Sequence, residues 1–342
     1  MTSSPRPLAV TMGEPAGIGG ELTLRAWQQR RHSPSSAFVA YDDPARLAQL
    51  AEKLRLHVPV RQIHRIGDAA ACFSEALPVL AVPLGAQPVA GQPDAANARS
   101  TIDSITQAVA AARAGDASAV VTNPIQKSVL TKAGFRHPGH TEYLAELAAD
   151  RGQPQPDVVM MLACRELRVV PVTIHMALRE VFAALSGARI ERACEIAAEA
   201  LRRDFGLARP RLAVAGLNPH AGEAGTMGDE EERMIQPAIA RLRQRGLDVS
   251  GPWSADTMFH AGARARYDAA ICMYHDQALI PLKTIDFSGG VNATLGLPFV
   301  RTSPDHGTAL DIAGTGRADP ASFLAALDLA AEMARNRAAA AL

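Results

Sequence analysis

The chain of 342 residues holds only four cysteines, Cys72, Cys164, Cys194 and Cys272, and no two of them form a C-x-x-C pair. Neither a disulfide framework nor a thiolate zinc knuckle is written here, and the expectation is a cytoplasmic protein. Aromatic residues make up 4% of the chain, and charge of neither sign prevails, with 35 Lys plus Arg against 35 Asp plus Glu. No basic tract occurs. Composition therefore gives no general attraction to nucleic acid or to an anionic membrane, and any anion site must be a local cluster. No apolar run reaches membrane-spanning length, and the opening MTSSPRPLAVTMGEP is too broken by Gly and Pro for a signal-peptide core. H-E-x-x-H and G-x-S-x-G are both missing, which removes the main support for a zincin protease or an α/β-hydrolase. Lysine is scarce. Lys53, Lys127, Lys132 and Lys283 are the whole set in a chain biased toward Arg and Ala, so each retained lysine invites attention.

What is present is a globular composition, 48% hydrophobic, long enough for about two domains at roughly 150 residues each. Short apolar runs alternate with amphipathic stretches, the pattern of an α/β protein with a largely parallel sheet. Strands are expected near 8–12, 37–41, 119–122, 157–163, 167–174, 211–216, 267–273 and 298–301. Helices are expected near 18–30, 94–114, 141–150, 188–205, 230–245 and 321–335. Ser186 reads as an N-cap and Pro124 as part of a first helical turn. Stretches 32–36 and 85–93 read as surface connections, the Ala-rich end after Asn336 as a frayed tail, and GFRHPGH as a domain change between Ala133 and His140.

Three histidines each close an apolar run: His175 in LRVVPVTIH, His220 in RLAVAGLNPH and His275 in YDAAICMYH. They are separated by the span of one or two βα units, too far for one helix face. Ligands of open α/β sheets bind outside the carboxyl ends of the strands, so three imidazoles at three strand ends can converge on one divalent metal with an open position. Taken singly, each is an ordinary loop or core histidine; the shared register sets them apart. Asn218 and Glu223 accompany His220, and Asp276 and Gln277 follow His275. Asp276 is suited both to capping a helix and to orienting a ligating His.

A second set is suited to anions: Lys283 in ALIPLKTIDF, Asn292, and Arg301 ending LGLPFVR, with His140 and Thr141 at an expected helix start. The N-terminal Gly13-Glu14-Pro15-Ala16-Gly17-Ile18-Gly19-Gly20 lacks both the Walker A ending and G-x-G-x-x-G, and reads as a tight strand-to-helix turn rather than a phosphate cradle.

The stretches TMGEPAGIGGEL, PGHTEYL, MMLACRELRVVPVTIHMALRE, GLNPHAGEAGTMGDEE, MYHDQALIPLKTIDF and GGVNATLGLPFVRTSPDHGTALDIAGTGRAD resemble the 4-hydroxythreonine-4-phosphate dehydrogenase family of pyridoxal phosphate biosynthesis. The resemblance covers nearly the whole chain. It implies a homodimer of two α/β/α lobes, isocitrate/isopropylmalate-dehydrogenase-like, with an active-site cleft between lobes at the dimer interface. One lobe is expected over 1–135 plus about 303–342, the other over 136–302 with the metal ligands and most of the phosphate site. It further implies His175, His220 and His275 as ligands of zinc, magnesium or cobalt shared between partners. Substrate contacts are implied at His140, Thr141, Lys283, Asn292 and Arg301. The co-substrate is NAD or NADP, with no residue assigned to it. Position makes Asp276 or Asp256 the candidate base, with Lys283 as an alternative proton donor. The implied reaction is oxidation of 4-phosphooxy-L-threonine followed by decarboxylation to 3-amino-2-oxopropyl phosphate. Relatives acting on erythronate or threonate 4-phosphate, or on aromatic cis-dihydrodiols, would carry nearly the same residues. From a different class, a three-His hydrolase or aldolase fits the same side chains, and a non-catalytic metal or phosphate binder fits them less well. Asn123 departs from the Gly that many relatives carry before this Pro.

Overall fold

The computed structural model describes residues 6–32, 37–137, 139–150 and 152–341. Residues 33–36 of the connection expected after His32, and Pro138 of GFRHPGH, lie outside the described residues. The chain divides into two compact units, Met1–Pro156 with Leu297–Ala334, and Asp157–Gly296 with Arg335–Leu342.

The first unit is built from β1 (Leu8–Thr11), α1 (Gly19–Arg30), β2 (Phe38–Asp42), α2 (Pro44–Lys53), β3 (Val60–Ile63), α3 (Ala69–Cys72), β4 (Leu77–Ala81), α4 (Ala98–Ala114), β5 (Val120–Val121), α5 (Lys127–Lys132) and α6 (His140–Ala148). The second unit follows with β6 (Val159–Ala163), β7 (Arg168–Pro171), α7 (Leu178–Ala184), α8 (Gly187–Arg203), β8 (Arg211–Ala215), α9 (Gln236–Gln244), β9 (Asp248–Trp253), α10 (Ala261–Arg264), β10 (Ala269–Cys272), α11 (His275–Ile285) and β11 (Val291–Leu295). The chain then returns to the first unit with β12 (Arg301–Pro304) and the greater part of α12 (Ala321–Ala340).

Six strands of the first unit lie in the order β3-β4-β2-β1-β5-β12, all parallel. A parallel sheet is covered on both faces, which is why β1 and β2, largely apolar up to Thr11 and Asp42 at their ends, are buried at every position. In the second unit the order is β11-β6-β7-β10-β8-β9. There β11 and β7 flank β6 in antiparallel fashion, and β7, β10, β8 and β9 run parallel. Its core is assembled from Leu162, Val169, Ala213, Ala215, Ala270, Cys272, Ala278 and Leu282. No helix among the described residues is long and apolar enough to cross a membrane.

Several expectations need correction. The chain leaves the first unit at Pro156 and not between 133 and 140, because α6 is fastened to α4: the Thr106 and Tyr143 hydroxyls lie 2.8 Å apart, and Arg113 donates to the Leu147 carbonyl at 2.8 Å. His140, Thr141 and Arg301 accordingly belong to the first unit. The strand expected at 298–301 begins only at Arg301, and Pro124 precedes a helix that starts at Lys127. The end after Asn336 is helical to Ala340 and belongs to the second unit, where the Arg337 guanidinium donates to buried Asp204 at 2.7 and 2.8 Å. Ser186 does cap α8, accepting the Arg189 N–H at 3.3 Å.

Candidate active site

In the second unit, β7, β10 and β8 are parallel neighbours, with Val170 opposite Ile271 and Ala270 opposite Ala213. His175, His220 and His275 follow the carboxyl ends of these three strands, the end of an open α/β sheet where loops and helix starts present ligand-binding groups. The arms are tied together below the imidazoles. The Thr173 hydroxyl donates to the Met273 carbonyl at 2.7 Å. Gln277 accepts the Met273 N–H at 2.7 Å and donates through Nε2 to the Gly216 carbonyl at 2.7 Å, so it joins the His275 helix start to the His220 loop.

The His175 and His275 rings meet, their centroids 5.8 Å apart and their planes inclined by 44°. They line a cavity of about 470 Å³ together with Thr173, Glu180, Tyr274 and Asp276. Asp276 Oδ1 stands 2.7 Å from His275 Nδ1. A carboxylate on one ring nitrogen fixes the tautomer and leaves Nε2 free to act as a ligand, so this pair has donor chemistry suited to a divalent cation. His220 is not brought to the pair: among the described residues, no group of three His, Cys, Asp or Glu side chains is placed to hold one metal ion. Its arm is conformationally costly, with φ of 53° at His220, 52° at Ala221, 41° at Glu223 and 53° at Ala224; His175 also lies at φ 39°. Each such residue costs on the order of 1–3 kcal/mol and persists only where its surroundings over-determine it. Asp256 lies within electrostatic reach of His220, and its carboxyl is held below the usual range chiefly by the Ser254 hydroxyl that donates to it. Lys283 holds Nζ 5.4 Å above the Phe287 ring in the last turn of α11. Asn292 sits on β11 opposite Leu162, its Oδ1 buried without a hydrogen-bond partner among the described residues.

A basic cluster occupies the first unit. Arg301 is 3% exposed and donates to Thr122 Oγ1 from Nη2 at 2.6 Å and from Nε at 3.2 Å; burial pulls its pKa down to about 10. His140 opens α6, and burial, then the charges of Arg301 and Lys127, hold its imidazole well below the usual histidine value. Its Nε2 is shut off from solvent with no hydrogen-bond partner among the described residues, and Thr141 is the next residue along. A buried polar atom left without a partner calls for a ligand or a strain argument, and two neighbouring cations point to an anionic ligand. Lys127 is the member that sequence reasoning left out of the set. Its Nζ would stand 3.2 Å from a Cβ on Gly139, so the missing side chain there makes room for it. The scarcity of lysine was the one signal that pointed to it.

A family model described as the pyridoxal phosphate biosynthetic protein PdxA matches residues 35–330. This chain belongs to the PdxA family. It is 55% identical over 340 residues to a 4-hydroxythreonine-4-phosphate dehydrogenase of Bradyrhizobium diazoefficiens, covering 96% of this chain and 97% of that one. The crystal structure of a 4-hydroxythreonine-4-phosphate dehydrogenase from Klebsiella pneumoniae is similar at 38% identity and a TM-score of 0.85, covering 96% and 99%. A terephthalate 1,2-cis-dihydrodiol dehydrogenase from Burkholderia xenovorans is similar at 29% identity and a TM-score of 0.65, covering 96% and 98%.

In this PdxA-family chain the turn at Gly13–Gly20 is filled by its own groups. Glu14 is 3% exposed and its Oε1 accepts the Ala16 N–H at 3.0 Å, while a Cβ on Gly17 would stand 2.9 Å from the Thr308 carbonyl oxygen. Asn123 is a clamp: its Nδ2 donates to the Thr11 carbonyl at 2.9 Å and to Thr23 Oγ1 at 3.0 Å.

Proposed function

We propose that this chain is a 4-hydroxythreonine-4-phosphate dehydrogenase, an oxidoreductase of pyridoxal phosphate biosynthesis. The observation that carries the reading is 55% identity to a dehydrogenase of that name over nearly all of both chains. The substrate is 4-phosphooxy-L-threonine and the hydride acceptor is NAD or NADP. Carbon 3 gives its hydride to the nicotinamide and its hydroxyl gives up a proton, forming 2-amino-3-oxo-4-phosphooxybutanoate. This β-keto acid breaks its bond to the carboxylate, releases carbon dioxide, takes a proton on carbon 2 and becomes 3-amino-2-oxopropyl phosphate.

Arg301, His140, Thr141 and Lys127 are the contacts for the phosphate. Lys283 and Asn292 are suited to further polar groups of the substrate. His175, His220 and His275 would hold zinc, magnesium or cobalt, an ion that would supply Lewis-acid chemistry at the substrate hydroxyl and at the ketone that replaces it. Asp276 keeps His275 in one tautomer, and Asp276 or Asp256 accepts the hydroxyl proton.

The enzyme works as a cytoplasmic homodimer. His175 and His275 pair within one chain and, among the described residues, no third side chain completes a ligand set with them, which supports a site completed by the His220 arm of a second copy. Large apolar side chains on the elements around the pair favour such a partner: Leu178 is 62% exposed, Ile280 63% and Phe287 77%.

The test is a panel of 4-phosphooxy-L-threonine, erythronate 4-phosphate and threonate 4-phosphate with both nicotinamides, read by the absorbance of the reduced cofactor and by carbon dioxide release. Turnover should be fastest with the first. Preference for another member would reassign the substrate, and product without nicotinamide reduction would favour a hydrolase or aldolase.

A further inference from the structure

Glu231 takes no part in the chemistry above, yet it is among the most thoroughly enclosed carboxylates of the second unit, at 1% exposure. It opens a π-helical turn, Glu231–Ile235, directly before α9. Its oxygens are engaged by one loop. Oε1 accepts the Leu217 N–H at 2.7 Å and the Asn218 N–H at 2.8 Å, and Oε2 accepts Asn218 Nδ2 at 2.9 Å. Glu230 adds a second carboxylate on the same Asn218 amide at 2.7 Å.

That loop carries His220. It leaves the sheet at Gly216, whose N–H donates to the Trp253 carbonyl at 2.8 Å, and it then turns through the left-handed residues His220, Ala221, Glu223 and Ala224. The approach is so close that a Cβ on Gly222 would stand 2.7 Å from Glu231 Oε2, and one on Gly216 3.1 Å from Oε1. Inside the loop the Ala221 N–H reaches the Asn218 carbonyl at 3.1 Å and the Glu223 N–H the His220 carbonyl at 3.2 Å, which leaves the Leu217 and Asn218 donors at its entry to an acceptor outside it. A buried carboxylate receiving several N–H bonds provides one, and charge-assisted bonds of this kind are about twice as strong as neutral ones.

We propose that Glu231 is a positioning residue that presets the His220 arm for cation binding. The proposal rests on the reading of His220 as a metal ligand. Glu231 does not touch the ion; it holds the left-handed loop in place before the ion arrives, so binding does not have to order it. Outer partners of metal ligands typically change affinity by about 10- to 100-fold when removed.

The experiment titrates Co(II) into the metal-stripped full-length protein by calorimetry, for wild type, Glu231→Gln, Asn218→Ala and His220→Ala. Inorganic phosphate binding and thermal unfolding of each metal-free protein are measured alongside. Glu231→Gln keeps shape but turns a donor or a weaker acceptor toward the two N–H groups, and it should weaken Co(II) binding at least tenfold while phosphate binding stays at the wild-type level. Asn218→Ala, which leaves the carboxylate and the backbone bonds in place, should weaken it by a smaller factor and stands in if Glu231→Gln does not fold. Wild-type Co(II) affinity in both variants, with affinity lost in His220→Ala, would overturn the role of Glu231 alone. Wild-type affinity in His220→Ala would instead remove His220 from the ligand set, and this proposal with it.

Discussion

Arg301→Met tests the anion site at its most buried point. The guanidinium is 3% exposed and anchored on Thr122 Oγ1 at 2.6 Å, so it cannot swing away or be replaced by a passing solvent cation. Methionine fills much of the same volume without charge, which keeps the cavity penalty small. A buried hydrogen bond to a charged group contributes about 1.5–3 kcal/mol. At about 1.4 kcal/mol per factor of ten, that corresponds to a roughly 10- to 150-fold rise in KM for the phosphorylated substrate. The phosphate lies one carbon from the reacting centre and binds alike in ground and transition states, so kcat should change much less than KM. Initial rates of nicotinamide reduction across a substrate series separate the two constants, and inhibition by inorganic phosphate should weaken in parallel. A KM within twofold of wild type, or a loss confined to kcat, would refute the assignment of Arg301 to the phosphate.

His140 supplies two further outcomes. Its folded pKa lies well below the usual 6.5, so below that value the unfolded chain takes up a proton that the folded chain refuses; its contribution to stability is whole above about pH 6.5 and is lost as the pH falls from there toward the folded value. His140→Asn should therefore flatten the acid side of the thermal-stability profile, and an unchanged profile would contradict the shift. Phosphate bound beside the ring favours its charged form, so binding near pH 6 should take up protons, measured by calorimetry in buffers of different ionisation enthalpy. Equal heats in all buffers would argue against contact between His140 and the anion.

Much of the second unit's strand layout was legible because of one regularity: an apolar run followed at once by a polar turn with a histidine. That pattern marked three strands, and parallel pairing then put their carboxyl ends side by side. The edge strands β3 and β9 escaped notice because their residues, VRQI and DVSGPW, bury only Ile63 and Val249 fully and do not form apolar runs. Helix α11 was hidden by Pro281 within it and by a first residue, His275, that reads as the end of a strand. The unit boundary was misread because Gly and Pro in GFRHPGH imitate a linker, while the bonds that fix α6 to α4 join residues far apart in sequence. The hold of Glu231 on the His220 arm was equally invisible. It depends on backbone donors of an irregular loop, which no spacing of side chains announces.

The central claim is that two imidazoles of one chain and the His220 arm of its partner serve a single site. Subunit mixing tests it directly: His175→Ala and His220→Ala are each inactive alone, and after random reassociation of equal amounts half the dimers are mixed, each with one intact site. The account predicts recovery of about a quarter of wild-type activity in that mixture, and none when His175→Ala is mixed with His275→Ala. No recovery in the first mixture, or equal recovery in both, would contradict it.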